Sequence, residues 1–257
     1  MTTSHPYVVQ PEVSLTLAES GTGRTVLVLH GGGGPATVTG LADHLARTAH
    51  VITPTHPGWN GTPRPDWFTG IDDLALAYLH LLHDRGLRDV LVVGSSLGGW
   101  IAAEMAVRDQ AGILTGLVLV DAVGVAVEDE PIADFFALDA RGVAEYAYHD
   151  SERFYVDPAE VPAAQLAARQ ADMAALRTFA GGPSMHDPKL LRRLGRVRIP
   201  VLALWGESDR IVTPAYGAAY AAAFGDGRLV VVPEAGHLPH IERPEATFAV
   251  IDAFLGE

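Results

Sequence analysis

The chain has 257 residues, room for one large domain or one domain carrying an insertion at about 150 residues per domain. Its 48% hydrophobic residues and positive mean hydropathy exclude global disorder, and a formal charge of −13, with Lys189 as the single lysine, excludes a nucleic-acid partner. The absence of cysteine excludes disulfides, thiolate zinc sites and a cysteine nucleophile, so any chemistry must use oxygen or nitrogen.

The first residues, Met1 to Tyr7, carry neither a basic nor an apolar leader pattern, and no apolar run approaches the ~18 residues of a membrane span. The expectation is a soluble, cytoplasmic protein without a membrane partner. In chain order, residues 13–18 alternate as a strand, and apolar runs at 26–29, 51–52, 90–93, 117–120, 201–204 and 229–232 read as strands buried on both faces, which belong in the middle of a sheet. Between them, Ile71, Leu74, Ala75, Tyr78, Leu79 and Leu82 recur at helical spacing, predicting an amphipathic helix over 70–85 that Gly86 ends. Thr213 followed by Pro214 reads as a helix cap and first turn, and Pro244 opens a last helix that turns Phe248, Ile251 and Phe254 to the sheet. The basic stretch Arg192, Arg193, Arg196 and Arg198 reads as a solvated helix end.

Strands alternating with helices predict an α/β fold, with a mostly parallel central sheet of about eight strands flanked by helices. The alternation fails after Asp121, where Ala-rich helical segments carry Phe135, Phe136, Tyr146, Tyr148, Phe154, Tyr155, Met173 and Phe179. An insertion at a strand's carboxyl end lies where open α/β sheets bind ligands. The expected organisation is therefore a core of 1–121 and 189–257, with 122–188 a helical lid over an active site.

Gly94-Ser95-Ser96-Leu97-Gly98 matches Gly-x-Ser-x-Gly between a predicted strand and a predicted helix, the setting of a nucleophile elbow. Side chains at the flanking glycines would collide across so sharp a turn. The turn would raise the Ser96 hydroxyl above the sheet at a helix N-terminus, making the Leu97 N–H an oxyanion donor. A second donor should come from His30-Gly31-Gly32-Gly33-Gly34, whose bare backbone follows another strand; no P-loop lysine accompanies it.

Serine needs a base. Among eleven histidines, His237 is favoured because it follows the strand at 229–232 and so shares the carboxyl edge of the sheet with Ser96. His240 is its nearest rival, His56 reads as turn-shaping or pocket-lining, and His30 as a brace for the oxyanion turn. The base needs a carboxylate to hold its tautomer, and Asp209 ends the preceding strand; Asp121, also at a strand end, is the rival, and Glu207 reads as a loop cap.

With these residues in hand, the chain resembles the α/β-hydrolase fold superfamily along nearly its whole length. His30-Gly31-Gly32, Gly94 to Gly98, Gly206 to Asp209 and Gly236-His237 are similar to that family's oxyanion, nucleophile, acid and base loops, and His56-Pro57-Gly58 stands where members often have Asp-x-Pro-Gly. The resemblance implies Ser96 as nucleophile, Asp209 as acid, His237 as base, and Gly32 with Leu97 as oxyanion donors, with Gly33 an alternative because four glycines blur the register. It also implies no metal and no cofactor. Ser96 at the elbow departs from dehalogenases and epoxide hydrolases, which use aspartate there. The His-Gly-Gly-Gly loop is shared with carbon–carbon hydrolases of ring-cleavage products, but Leu238 stands where those commonly carry tryptophan.

The expected activity is hydrolysis of a carboxylic ester, lactone or thioester in a small to medium, partly apolar substrate. The alternatives are a carbon–carbon hydrolase and a non-hydrolytic ligand-binding or oxygenase member of the fold. Gly33, Trp100, Phe135, Phe136, Tyr146 and Leu238 are the expected substrate-pocket residues. The partner is expected to be a small molecule, with the protein a monomer or homodimer.

Overall fold

A computed structural model describes residues 2–182 and 184–256. Eight strands form one sheet: β1 (Thr3–Gln10), β2 (Val13–Ser20), β3 (Thr25–Leu29), β4 (His50–Thr55), β5 (Val90–Ser95), β6 (Leu114–Val120), β9 (Val201–Gly206) and β10 (Gly227–Val232). Their order across the sheet is β1-β2-β4-β3-β5-β6-β9-β10, with β1 and β2 antiparallel and every pairing from β4 onward parallel. The helices are α1 (Thr39–Leu45), α2 (Ile71–Asp84), α3 (Leu97–Arg108), α4 (Ala140–Ala147), α5 (Ser151–Phe154), α6 (Ala163–Ala180), α7 (Leu190–Arg193), α8 (Pro214–Ala223), α9 (Pro239–Glu242) and α10 (Pro244–Leu255).

The central strands are buried on both faces, so alternate residues feed two cores. Leu27, Leu29, Val92, Leu117 and Leu119 join one core with α2, α3 and α8; Val26, Val28, Leu91, Val93 and Val118 join the other with α1 and α10. The expected helix stops and starts form: Gly86 takes φ +65° after α2, and Thr213 Oγ1 accepts from the Tyr216 N–H at 3.1 Å before α8. Ile251 and Phe254 are buried, and Phe248 packs against the same core.

Three features differ from the sequence reading. The strand read at 229–232 is not central: β10 is an edge strand with Val231 39% exposed. Its apolar run covers only one neighbour, since among the described residues nothing pairs beyond it. Strand β1 was missed because its residues, with Pro6 among them, are exposed or half-buried on a sheet edge, Val9 excepted, and show no apolar alternation. Between Asp121 and residue 189 two very short strands do form, β7 (Gly124–Val125) and β8 (His186–Asp187), paired in parallel. They bring together the two ends of the segment that leaves the sheet after β6 and returns before β9. Among the described residues no helix is long and apolar enough to cross a membrane.

Register sets the carboxyl edge. Leu29 pairs with Gly94, Ser95 with Val120, Val120 with Leu204, and Val232 with Gly206. The loops after β3, β5, β6, β9 and β10 therefore leave the sheet side by side, as the topology of an open parallel sheet requires of a binding edge.

Candidate active site

Ser96 links β5 to α3 with φ 54° and ψ −114°, a conformation rare for a residue bearing a side chain. The turn closes only because its neighbours lack side chains. A Cβ on Gly94 would lie 2.2 Å from the Gly98 carbonyl oxygen, and one on Gly98 would lie 2.2 Å from that of Leu29. The Ser96 N–H donates to Val120 O at 2.9 Å, tying the elbow to β6.

His237, in the loop after β10, reaches Ser96 across 141 positions of sequence, its Nε2 standing 2.9 Å from Oγ. Its Nδ1 lies 2.8 Å from Asp209 Oδ2. The other carboxylate oxygen of Asp209 accepts from the N–H groups of Ile211 at 2.8 Å and Val212 at 3.2 Å, so the carboxylate cannot rotate without losing them. Asp209 and His237 are both buried. Because Asp209 accepts, the imidazole carries its proton on Nδ1 and presents an unprotonated Nε2 to the serine.

Asp121 lies in the same cluster, its carboxyl within 4.8 Å of donor atoms of Asp209 and His237, but its Oδ1 accepts from the Gly206 N–H at 2.9 Å. Burial first, and then the Asp209 charge, push its carboxyl well above the usual carboxylate range, which favours its neutral form. His240, the rival base, instead donates from Nε2 to Thr37 O at 3.0 Å, and Glu207 accepts from the Glu234 N–H at 3.1 Å, bracing two neighbouring loops.

The glycine loop after β3 lies against the serine. A Cβ on Gly31 would stand 3.0 Å from that of Ser96, and one on Gly32 would stand 2.6 Å from Leu176 Cδ2. Two buried histidines hold the loop. His30 Nε2 accepts from the His56 N–H at 3.0 Å, so its proton sits on Nδ1, which donates to Gly31 O at 2.7 Å. His56 Nε2 donates to His30 O at 2.9 Å, and its Nδ1 accepts from the Tyr78 hydroxyl. In a trans peptide the N–H points opposite to the C=O, so fixing Gly31 O on His30 turns the Gly32 N–H the other way. Trp59 Nε1 donates to Gly32 O at 2.9 Å, fixing the next peptide. Among the described residues, no hydrogen bond occupies the N–H of Gly32 or of Leu97. Both are available to a developing oxyanion.

These histidines make stability depend on pH. Burial holds His30 and His240 at about 4 and His56 well below its ordinary value of 6.5. The unfolded chain takes up those protons below pH ~6.5, while the folded state refuses them until about pH 4, so stability is lost across that interval. For His30 and His240 the loss is about 3 kcal/mol each. Asp121 works the other way, since its raised folded value adds stability as pH falls. Thermal denaturation is expected to show Tm falling continuously from pH 7 to pH 4.5; a level Tm would mean these rings are charged in the fold.

Ser96 and His237 open into a cavity of about 190 Å³ whose wall is apolar and, among its lining residues, holds no lysine or arginine. Gly32, Gly33, Leu97, Phe135 and Leu238 line it. Three expected pocket residues do not. Trp100 lies three residues into α3 and packs on Gly124, where a Cβ would come 2.3 Å from its ring. Phe136 lies under the Arg177 guanidinium at 4.4 Å, and Tyr146 is 38% exposed. Sequence reasoning missed Val143, Ala147, Leu176, Met185 and Ile211, which do form the wall. The i, i+4 spacing of Val143 and Ala147 was a usable signal, but the aromatic residues drew the inference away from it.

A profile of the Alpha/beta hydrolase family matches residues 26–250. Over 243 residues, covering 88% of this chain and 82% of its relative, the chain is 27% identical to the 2-hydroxy-6-oxo-6-(2'-aminophenyl)hexa-2,4-dienoic acid hydrolase of Metapseudomonas resinovorans. It is 28% identical over 249 residues to the pimeloyl-[acyl-carrier protein] methyl ester esterase of Aromatoleum aromaticum, covering 88% of this chain and 96% of that one. Among solved structures, a thermophilic esterase from Thermogutta terrifontis superposes with a TM-score of 0.75 at 24% identity, covering 99% of this chain and 98% of that one. With the serine elbow and the eight-stranded, mostly parallel sheet, the match over residues 26–250 establishes that this chain belongs to the Alpha/beta hydrolase family.

Proposed function

We propose that the protein is a serine hydrolase of small, uncharged carboxylic esters, working through an acyl-enzyme. The observation that carries this reading is the continuous hydrogen-bonded line from Ser96 Oγ through His237 to Asp209, at 2.9 Å and 2.8 Å. Ser96 Oγ attacks the ester carbonyl as His237 Nε2 takes its proton. The N–H groups of Leu97 and Gly32 receive the oxyanion, and Asp209 offsets the imidazolium charge. His237 then protonates the leaving alcohol. A water deprotonated by the same imidazole attacks the acyl-enzyme, and collapse of the second tetrahedral intermediate returns the proton to Ser96. In this reading residues 122–188 are the lid, because Val143, Ala147, Leu176 and Met185 complete the cavity from that segment.

The cavity wall favours the ester reading over carbon–carbon hydrolysis. One relative is named for a dienoic acid, whose carboxylate would enter a wall without lysine or arginine. Burying an unpaired carboxylate costs several kcal/mol, which disfavours such a substrate by 100-fold or more at about 1.4 kcal/mol per tenfold. The volume of about 190 Å³ lies below the ~300–1,000 Å³ typical of drug-sized ligands and favours short acyl chains.

A fluorophosphonate is expected to label the wild-type protein on Ser96. Among aryl esters, acetate and butyrate are expected to exceed laurate at least about tenfold in kcat/KM, and neutral esters to exceed carboxylate-bearing ones about 100-fold. Turnover of a ring-cleavage dienoate with neutral esters untouched would instead establish the carbon–carbon reading.

A further inference from the structure

The last carbonyls of a helix have no partner inside it and must find one elsewhere. In α4 those partners come from the two loops that carry Asp209 and His237. Arg210, next to Asp209, donates from Nη1 to Glu145 O at 2.9 Å and from its N–H to Tyr146 O at 3.1 Å. The peptide N–H of His237 itself donates to Ala147 O at 2.7 Å. The contact is close enough that a Cβ on Gly236 would lie 2.3 Å from that same Ala147 oxygen.

Glu242, in α9 and 8% exposed, completes the joint. Its carboxylate accepts from the N–H groups of His149 at 3.0 Å and Asp150 at 3.1 Å, just past the end of α4, and from the Gly236 N–H at 2.5 Å, one residue before His237. One buried carboxylate thus binds three peptide N–H groups from two segments that are distant in sequence. An ionised carboxylate offers about four acceptor sites and makes strong, short bonds of this kind.

We propose that Glu242 is a positioning residue for the hydrolytic reaction, clamping the end of α4 to the loop that bears His237 and so holding the imidazole within reach of Ser96. The inference rests on the serine-hydrolase reading above. It makes α4 a fixed wall of the active site, so that any opening of the 122–188 segment occurs elsewhere in it. Glutamine at this position offers a single acceptor oxygen and turns an NH2 group toward N–H donors, so one or more bonds of the clamp are lost. A displacement of about 1 Å in a catalytic group costs about 100-fold in rate.

The test compares Glu242→Gln and Glu242→Ala with Glu19→Gln. Glu19 is a buried carboxylate that joins β2 to Arg85 and His50 by bonds of 2.9 Å, outside the site. Two properties are read besides Tm: kcat and KM on the preferred neutral ester, and the far-downfield proton NMR signal of the His237 Nδ1–H shared with Asp209. Glu242→Gln is expected to lower kcat about 10- to 100-fold with KM changed less than about threefold, and to broaden or abolish the downfield signal. Glu242→Ala should do both more strongly, whereas Glu19→Gln should lower Tm and leave kcat and the signal intact. A Glu242→Gln protein with reduced Tm but wild-type kcat and an unchanged signal would overturn the proposal. Wild-type protein unreactive to a fluorophosphonate would overturn the hydrolase reading instead, and the proton signal would still report whether Glu242 holds the imidazole.

Discussion

Ser96→Ala is expected to lower kcat by about 10⁶-fold and to abolish fluorophosphonate labelling, while leaving Tm within about 2 °C of wild type. The hydroxyl is the only atom lost, and its hydrogen bond to His237 Nε2 at 2.9 Å is an active-site contact rather than a core one. The backbone N–H of residue 96 still donates to Val120 O, so the elbow keeps its tie to β6. Removing Ser96 and His237 together should cost little more than removing Ser96 alone, because nucleophile and base act as one unit. Steady-state kinetics on a neutral ester, with intact-mass analysis of the labelled protein, checks both statements. Residual activity above about 1% of wild type in Ser96→Ala would mean that another group attacks the substrate.

Asp209→Asn is expected to lower kcat about 10⁴-fold, and Asp121→Asn less than about tenfold, although the two carboxyls adjoin the same histidine. The difference follows from charge and tautomer. Asp209 accepts the Nδ1–H of His237 and, in the proposed mechanism, balances the imidazolium charge. An asparagine oriented by the Ile211 and Val212 N–H groups would turn its NH2 to Nδ1, moving the imidazole proton to Nε2, where it cannot serve as a base. Burial and the Asp209 charge push the Asp121 carboxyl well above the usual carboxylate range, toward its neutral form. Asparagine there keeps the oxygen that accepts from Gly206 and a donor in place of the acid proton. Equal losses in the two variants would mean that both carboxyls share the support of His237.

These two aspartates show how far the sequence could be read. Both end strands, at β6 and β9, and both lie before His237 in the chain, so pattern alone ranks them only by analogy with the order of a known fold. The separation depends on which carboxylate finds backbone N–H donors for its second oxygen, a property of loop packing. The same limit explains the cavity wall. Composition placed Phe135, Phe136 and Tyr146 in one aromatic stretch, yet only Phe135 lines the cavity, because the rotation of each short helix is set by what it packs against. Trp100 was assigned to the pocket for its nearness in sequence to Ser96, but its position on α3 carries it to Gly124.

Glu242 lay outside sequence reasoning altogether. Nothing in its neighbourhood marks it, since its three partners are peptide groups, which every residue possesses, drawn from positions 149, 150 and 236. The network of His30, His56 and Tyr78 was legible in part. Both histidines follow strand ends, His30 read as a brace and His56 as turn-shaping or pocket-lining, but the hydroxyl that fixes the tautomer of His56 comes from a helix 22 positions on.

The chain's own order of residues sufficed for whatever local sterics and short-range periodicity decide. Apolar runs specified the central strands, glycines at 94 and 98 specified the elbow that no side chain could enter, and proline and threonine specified where helices begin. Tertiary structure alone decided which aspartate meets the imidazole, which faces of the inserted helices form the wall, and which carboxylate joins them to the base loop. Those outcomes depend on desolvation and on hydrogen-bond partners supplied from far along the chain, and such partners exist only once the sheet has brought its carboxyl-end loops together.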